Sequence, residues 1–265
     1  MTTKIDYSKG LHDKANVDLF KRPELLIDLC NDLLATGEST LTNLSMIIAK
    51  TESLVQIRVD QKYFDQLSRA DTIGPAEGEC RLERALWVNW RLHPKNTPTV
   101  FHPTAPFLMA YQVPLFNKKQ RESWGSIDLV GVSNVKLPVI IELKQEANVE
   151  SPLRMLLEAV TYGISVRKAW VPQFRQCWLN ALNALKVDPA PVLPQNLTQC
   201  QLLCLAPQDY WSQWSNSPRK IDSKGWAALS RLVKELETKH NLVAEFAQLQ
   251  LNIKTWELPD ENKTQ

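Results

Sequence analysis

The chain has 265 residues, 44% hydrophobic and 23% charged, a globular composition that excludes disorder, collagen-like repeats and coiled coil. With 31 Lys and Arg against 29 Asp and Glu the formal charge is only +2, so any hold on phosphates has to come from local patches rather than a global field. Sixteen Pro against eight Gly argue against Gly-rich phosphate loops, and four scattered His with five Cys in no CxxC pair leave carboxylates and lysines to carry any chemistry. The opening MTTKIDYSKG has no apolar h-region and no run approaches the roughly 18 apolar residues of a membrane span, which leads to the expectation of a cytoplasmic protein with reduced, mostly buried cysteines.

The first seventy residues read as helical. Leu25, Leu26, Leu29 and Leu33 fall at helical spacing and Gly37 follows as a stop; a second helix is expected over 42–49. Residues 54–59 fit either a strand or a continuation of that helix, and 63–67 look helical again. The turn-rich stretch 71–78, with Gly74, Pro75 and Gly78, divides an N-terminal helical segment, 1–72, from a domain over 73–265.

Beyond it the pattern predicts a helix over 79–92, a Pro-punctuated loop, and strands over 107–116 and 126–132. The apolar run Leu137-Pro138-Val139-Ile140-Ile141 continues into Glu142-Leu143-Lys144 and reads as a strand buried on both faces. Ser151 as N-cap and Pro152 at the first position open a long helix striped by Leu153, Leu156, Leu157, Val160 and Ile164. An amphipathic helix around Phe174, Trp178, Ala181, Leu182 and Leu185 comes next, then a strand over 201–206 and a helix marked by Trp226, Leu229, Val233 and Leu236. The alternation Ala247, Leu249, Leu251, Ile253 suggests a last strand. This order implies an α/β fold with helices against a central sheet.

Asp128, Glu142 and Lys144 are the informative residues. Side chains two apart on a strand point the same way, so Glu142 and Lys144 share a face while Leu143 enters the opposite layer, and Asp128 can meet them from the neighbouring strand. Two carboxylates and a backbone carbonyl make a hard oxygen site suited to magnesium, beside which a lysine can act on the attacking water or on charge developing at a phosphate.

Gly125-Ser126-Ile127-Asp128, followed after thirteen residues by Glu142-Leu143-Lys144, resembles the motif of the PD-(D/E)XK, or restriction-endonuclease-like, nuclease superfamily. The resemblance covers roughly residues 79 to 211. It implies a mixed sheet flanked by helices, with a core of helix, three strands, helix and strand, and a metal-dependent nuclease acting on phosphodiester bonds in DNA. In that family an acidic residue sits near the start of the first helix; Glu79 matches best and Glu83, one turn later, is a second candidate. Asp128, Glu142 and Glu79 would hold Mg2+, with Mn2+ as a substitute, and Lys144 would act on the water. A Gln-x-x-x-Tyr signature of some members corresponds to Glu158 through Tyr162, where Tyr162 matches and Glu158 replaces the glutamine; Ile127 likewise stands where the motif has proline. Arg154, Glu158 and Tyr162 fall on one helix face.

Lys118, Lys119, Arg121 and Arg154 are candidate phosphate contacts flanking such a site. Restriction, repair, transposition and phage defence are all settings open to it. The alternative is a nuclease-fold protein whose site is unused and which binds nucleic acid or serves as a scaffold. A protein partner docked on the N-terminal helices and a homodimer are compatible with either reading.

Overall fold

Three closely spaced apolar runs can hydrogen-bond only as an antiparallel meander, whereas strands separated by long helical stretches are free to pair in parallel. Both arrangements occur in the computed structural model, which describes residues 5–11, 14–36, 40–55, 57, 63–64, 78–92, 100–115, 126–187, 192–216 and 219–249. Its five-stranded sheet runs in chain order: β1 (Phe107–Pro114), β2 (Ser126–Val132), β3 (Pro138–Leu143), β4 (Cys200–Pro207) and β5 (Leu242–Leu249). The pairs β1/β2 and β2/β3 are antiparallel, while β3/β4 and β4/β5 are parallel. The first parallel crossover is α5 (Pro152–Ala169) with α6 (Arg175–Ala184), and the second is α7 (Gln208–Ser215) with α8 (Ser223–His240). The chain is therefore α/β, as its element order implied, and its sheet is mixed.

The two sheet faces are sealed differently. On one, Leu82, Leu86, Trp87 and Trp90 of α4 (Gly78–Trp90) pack with Leu108, Leu129, Ile141, Leu143 and Leu203. On the other, Leu153, Leu156, Leu157 and Val160 of α5 join Val130, Ile140, Leu202 and Cys204. Every residue of β3 is buried, as its unbroken apolar run requires. Cys200 and Cys204 are buried with it on β4.

Helix α5 begins where the sequence says it should: Ser151 Oγ accepts from the Arg154 amide at 3.2 Å, and Pro152 occupies the first turn. It does not stop at Ala169. A π-helical turn, Trp170–Phe174, joins it to α6, with Pro172 inside. Proline has no N–H to donate and its ring crowds the preceding turn, so the helix widens there instead of breaking. Phe174 and Trp178 beyond the turn pack against Phe64 at ring-centroid distances of 5.3 and 5.6 Å.

Helices α1 (Lys14–Phe20), α2 (Leu26–Leu34) and α3 (Asn43–Leu54) pack on the outer sides of α5 and α8 and share their core through Phe20, Leu29, Leu33, Leu44 and Ile47. Of the alternatives for 54–59, Leu54 ends α3 and Val55 is its cap; most of 56–70, including most of the 63–67 helix, and the turn-rich boundary at 71–77 lie outside the described residues. Lys168 Nζ donates to the carbonyls of Glu52 and Val55 at 2.6 and 3.0 Å, and Arg167 Nη1 to that of His240 at 2.7 Å. The last turn of α5 thus satisfies carbonyls at the ends of α3 and α8.

Two elements differ from the sequence reading. Helix α7 was not anticipated, because its eight residues bury only Tyr210 and Trp214 and show no extended stripe. Strand β5 begins at Leu242 rather than at Ala247: Asn241 turns left-handed at φ 54 to end α8, and the pairing Cys200↔Leu242 starts the strand at once. Residues 250–265, with Leu251 and Ile253, lie outside the described residues. Among the described residues no helix is long and apolar enough to cross a membrane.

The approach of α5 to β4 depends on Gly163, where an added Cβ would lie 2.7 Å from Leu202 Cδ2 and 3.4 Å from Cys200 Sγ. Replacing Gly163 with Val overpacks this contact and is expected to destabilise by about 1–3 kcal/mol. Urea unfolding should show a lower midpoint at unchanged slope; an unchanged midpoint would mean that the helix and sheet are not closely packed there.

Candidate active site

The end of the β2/β3 pair collects charge from four elements. Asp128 lies one step beyond the paired residues Leu129↔Ile141, opposite Glu142. Lys144 follows the last residue of β3, and its amide continues the parallel pairing by donating to the Leu205 carbonyl at 3.1 Å. The strand period thus delivers Glu142 and Lys144 to one place while Leu143 joins the α4 cluster. Helix α5 adds Arg154, Glu158 and Tyr162, one turn apart, and α4 adds Glu79 and Glu83.

Lys144 is the hub. Its Nζ donates to Glu142 Oε1 at 2.6 Å and to Glu158 Oε2 at 2.8 Å, and lies 3.1 Å from Glu150 Oε2. Glu158 also pairs with Arg154, one helical turn earlier. Asp128 Oδ2 accepts from the Leu143 amide at 2.9 Å, which ties its carboxylate to the same strand end. Glu83 Oε2 accepts from Gln112 Nε2 at 2.6 Å, and Glu79 Oε1 from Asn148 Nδ2 at a longer 3.4 Å. Glu142 and Lys144 are only 2% and 3% exposed. Glu142 Oε2 is buried and has no hydrogen-bond partner among the described residues.

Among the described residues the carboxylates of Glu79, Glu83, Asp128, Glu142, Glu150 and Glu158 thus gather around Lys144 and Arg154, with Lys21 3.8 Å from Glu150 on the outer side. Their titration reflects the imbalance. Burial, reinforced by the Asp128 charge, pushes the Glu83 carboxyl up to about 9. Burial also raises Asp128 to about 7, against the pull of Lys144. Burial and the Asp128 charge hold Glu142 well above the usual carboxylate range, and burial raises Glu79. Glu158 is the exception: burial works against its charge, but Lys144 and Arg154 outweigh it and hold the carboxyl low. For Lys144 burial likewise opposes the charge, and Glu142 and Glu158 overcome it, so the ammonium is kept well above its ordinary range. Tyr162 is buried behind the cluster, and burial with the Glu142 and Glu158 charges keeps it a neutral phenol.

Asp128, Glu142, Lys144, Glu158, Tyr162 and both candidate helix acids are therefore brought together. Arg154 is placed differently from the expected phosphate track: it is 3% exposed and its guanidinium is engaged by Glu158, because a carboxylate on the buried face of α5 needs a countercharge. Lys118, Lys119 and Arg121 lie outside the described residues. Glu150, Gln112 and the Glu79 partner Asn148 escaped the sequence reading. Glu150 sits in the loop between β3 and α5, and nothing in its neighbours Val149 and Ser151 marks it. Gln112 reaches Glu83 from an irregular β1 with left-handed backbone at φ 48, a conformation the alternating strand pattern conceals.

Among the described residues no group of three or more His, Cys, Asp or Glu side chains has the arrangement of a metal cage. The chemistry of the donors nevertheless suits a divalent cation: Asp128 and Glu142 are hard oxygen donors on adjacent strands, one oxygen of Glu142 is buried without a partner, and the carboxylates outnumber the cations. No family model matches the chain, and no curated protein or solved structure shows significant similarity to it.

The imbalance has a consequence for stability. Glu83 and Asp128 bind protons more tightly folded than unfolded, so the stability they contribute is present at low pH. It is lost as pH rises from the ordinary carboxylate range through about 7 and about 9. The metal-free protein should accordingly melt at falling temperature between about pH 5 and pH 9. Glu83→Gln, which mimics the protonated side chain, should leave the melting temperature at the acid end unchanged and raise it at the alkaline end. Equal pH slopes for parent and variant would remove Glu83 from the effect.

Proposed function

We propose that this chain is a magnesium-dependent nuclease of the PD-(D/E)XK type, hydrolysing phosphodiester bonds in DNA. The observation that carries the reading is the meeting of Asp128, Glu142 and Lys144 at the end of two adjacent buried strands, with one Glu142 oxygen left unsatisfied. The order of helix, three strands, helix and strand from α4 to β4 supports it, as does the placement of acidic residues at the start of α4.

In this reading Asp128 and Glu142 hold Mg2+, or Mn2+ in its place, with Glu79 or Glu83 as the acid from α4. A metal held there would supply Lewis acidity. Lys144 would orient the attacking water and steady the charge growing on the phosphate. Glu158 keeps the ammonium charged and aimed, with Arg154 as its own countercharge and Tyr162 excluding water behind it. Lys118, Lys119 and Arg121 would supply phosphate contacts. A metal would compete with protons at Asp128 and Glu142, both raised by burial, so affinity should rise with pH through about 7, where Asp128 loses its proton.

One observation favours a second reading, a scaffold or nucleic-acid-binding protein that retains the fold with its site unused. The Lys144 ammonium touches three carboxylates and is almost wholly buried, the closed and salt-bridged arrangement expected of an internal ion network.

Two variants separate the readings. Asp128→Asn keeps an acceptor for the Leu143 amide and should weaken Mg2+ and Mn2+ binding, measured by calorimetry. Lys144→Gln should leave metal binding intact and lower single-turnover cleavage by about 10² to 10⁴, the usual range for losing a positioned acid or base. Linear, nicked and single-stranded DNA should be tried as substrates in magnesium. Binding without cleavage of all three by the parent protein would reject the nuclease and leave the scaffold.

A further inference from the structure

An ammonium has three N–H donors; Lys144 donates to Glu142 and Glu158, and the third carboxylate beside its Nζ is Glu150, at 3.1 Å. A phosphate oxygen approaching the ammonium meets these three carboxylates, so one of them has to yield before the lysine can engage it. The three are not equivalent. Glu142 is held on β3 and Glu158 on α5, with side chains 3% and 8% exposed. Glu150 lies at the greatest distance, 3.1 Å, has a side chain 22% exposed, and comes from the loop between those two elements.

The backbone of Glu150 is pinned. Its carbonyl accepts from Tyr210 at 2.9 Å, its amide donates to Asn148 Oδ1 at 2.7 Å, and the next residue, Ser151, donates its hydroxyl to the Phe20 carbonyl at 2.9 Å. Only the side chain is free to turn. A second cation waits on its outer side: Lys21 Nζ, just after α1, lies 3.8 Å from Glu150 Oε1 with its side chain 45% exposed, and its other acidic neighbour, Asp18, is 4.0 Å away. One carboxylate therefore stands between a buried ammonium and a solvent-exposed one.

We propose that Glu150 is a toggle occupying the position of a substrate phosphoryl oxygen at Lys144, and that it yields the position by swinging to Lys21. The ligand class is a phosphate monoanion or dianion, or a phosphodiester. The inference rests on the nuclease reading for its biological meaning, but the toggle itself is a property of Lys144, Glu150 and Lys21. It gives the N-terminal helices a part in the site, since Lys21 decides how readily Glu150 leaves. Glu150 is thus a positioning residue rather than a catalytic one.

The test uses the full chain with three variants, Glu150→Gln, Lys21→Met and the double variant. The probe is inorganic phosphate in saturating magnesium, titrated by calorimetry, with single-turnover DNA cleavage measured on the same preparations. Removing the competing carboxylate should tighten phosphate binding by up to about fivefold, the upper range of one partly exposed ion pair. Lys21→Met should weaken binding by a smaller factor, and in the Glu150→Gln background it should have no effect. In single-turnover cleavage, Glu150→Gln should lower the DNA concentration that gives the half-maximal rate; a merely structural role would lower the maximal rate and leave that concentration where it was. Lys21 is exposed, so Lys21→Met tests the idea even if Glu150→Gln fails to fold. Phosphate affinity unchanged or weakened in Glu150→Gln, or a Lys21 effect that persists in the double variant, overturns the toggle. If phosphate binding follows the expected pattern but no preparation cleaves DNA, the nuclease reading falls and the toggle stands. If DNA is cleaved while phosphate affinity is the same in all four proteins, the toggle falls and the nuclease reading stands.

Discussion

Lys144 carries a full positive charge almost out of water, and removing such a group from solvent costs several kcal/mol unless opposite charge and hydrogen bonds replace the lost hydration. Glu142 and Glu158 supply that replacement at 2.6 and 2.8 Å, from two different elements. The contact therefore fixes where the end of β3 meets the first half of α5. It also accounts for the second ion pair: Glu158 serves Lys144 with one oxygen and Arg154 with the other, so the buried guanidinium completes the network that the ammonium begins. Breaking one member leaves an uncompensated charge inside the protein, a far larger penalty than the net worth of any single pair.

Helix α5 is what makes so deep a site attainable. It packs against the sheet on one side and the N-terminal helices on the other, so even its polar residues are enclosed. Thr161 and Ser165 answer by donating their hydroxyls to the carbonyls one turn back, at 2.9 Å each. Arg167 and Lys168 at its last turn hold the ends of α8 and α3. One helix thus carries a hydrophobic stripe, half of a charge cluster and the anchors for its neighbours, and the N-terminal helices act as its outer wall.

Among the described residues the site has an excess of acid even after Lys144, Arg154 and Lys21 are counted. The protein answers by keeping Glu83 and Glu142 protonated more readily than ordinary carboxyls and by leaving one oxygen of Glu142 without a partner. A neutral interior would not need this arrangement, and a divalent cation would relieve it. The enzyme and scaffold readings differ in whether Asp128 and Glu142 take up a divalent cation and whether Glu150 yields its place beside Lys144.

The strand and helix periods, the Ser151-Pro152 start and the unbroken apolar run before Glu142 are local properties, so the sequence alone determined the order of the strands and long helices around the site, the burial of β3 and the shared position of Asp128, Glu142 and Lys144. Those residues needed only the two-residue repeat of a strand and a tight antiparallel connection. The partners of Lys144 were another matter. Glu150 and Gln112 carry no periodic signal, Arg154 reads as a surface cation on any helical wheel, and Lys21 is more than a hundred residues from the loop it touches. Their roles are set by which faces the packing encloses. Only the tertiary structure, by placing the N-terminal helices over α5 and so closing its second side, decided that these charges face one another rather than water.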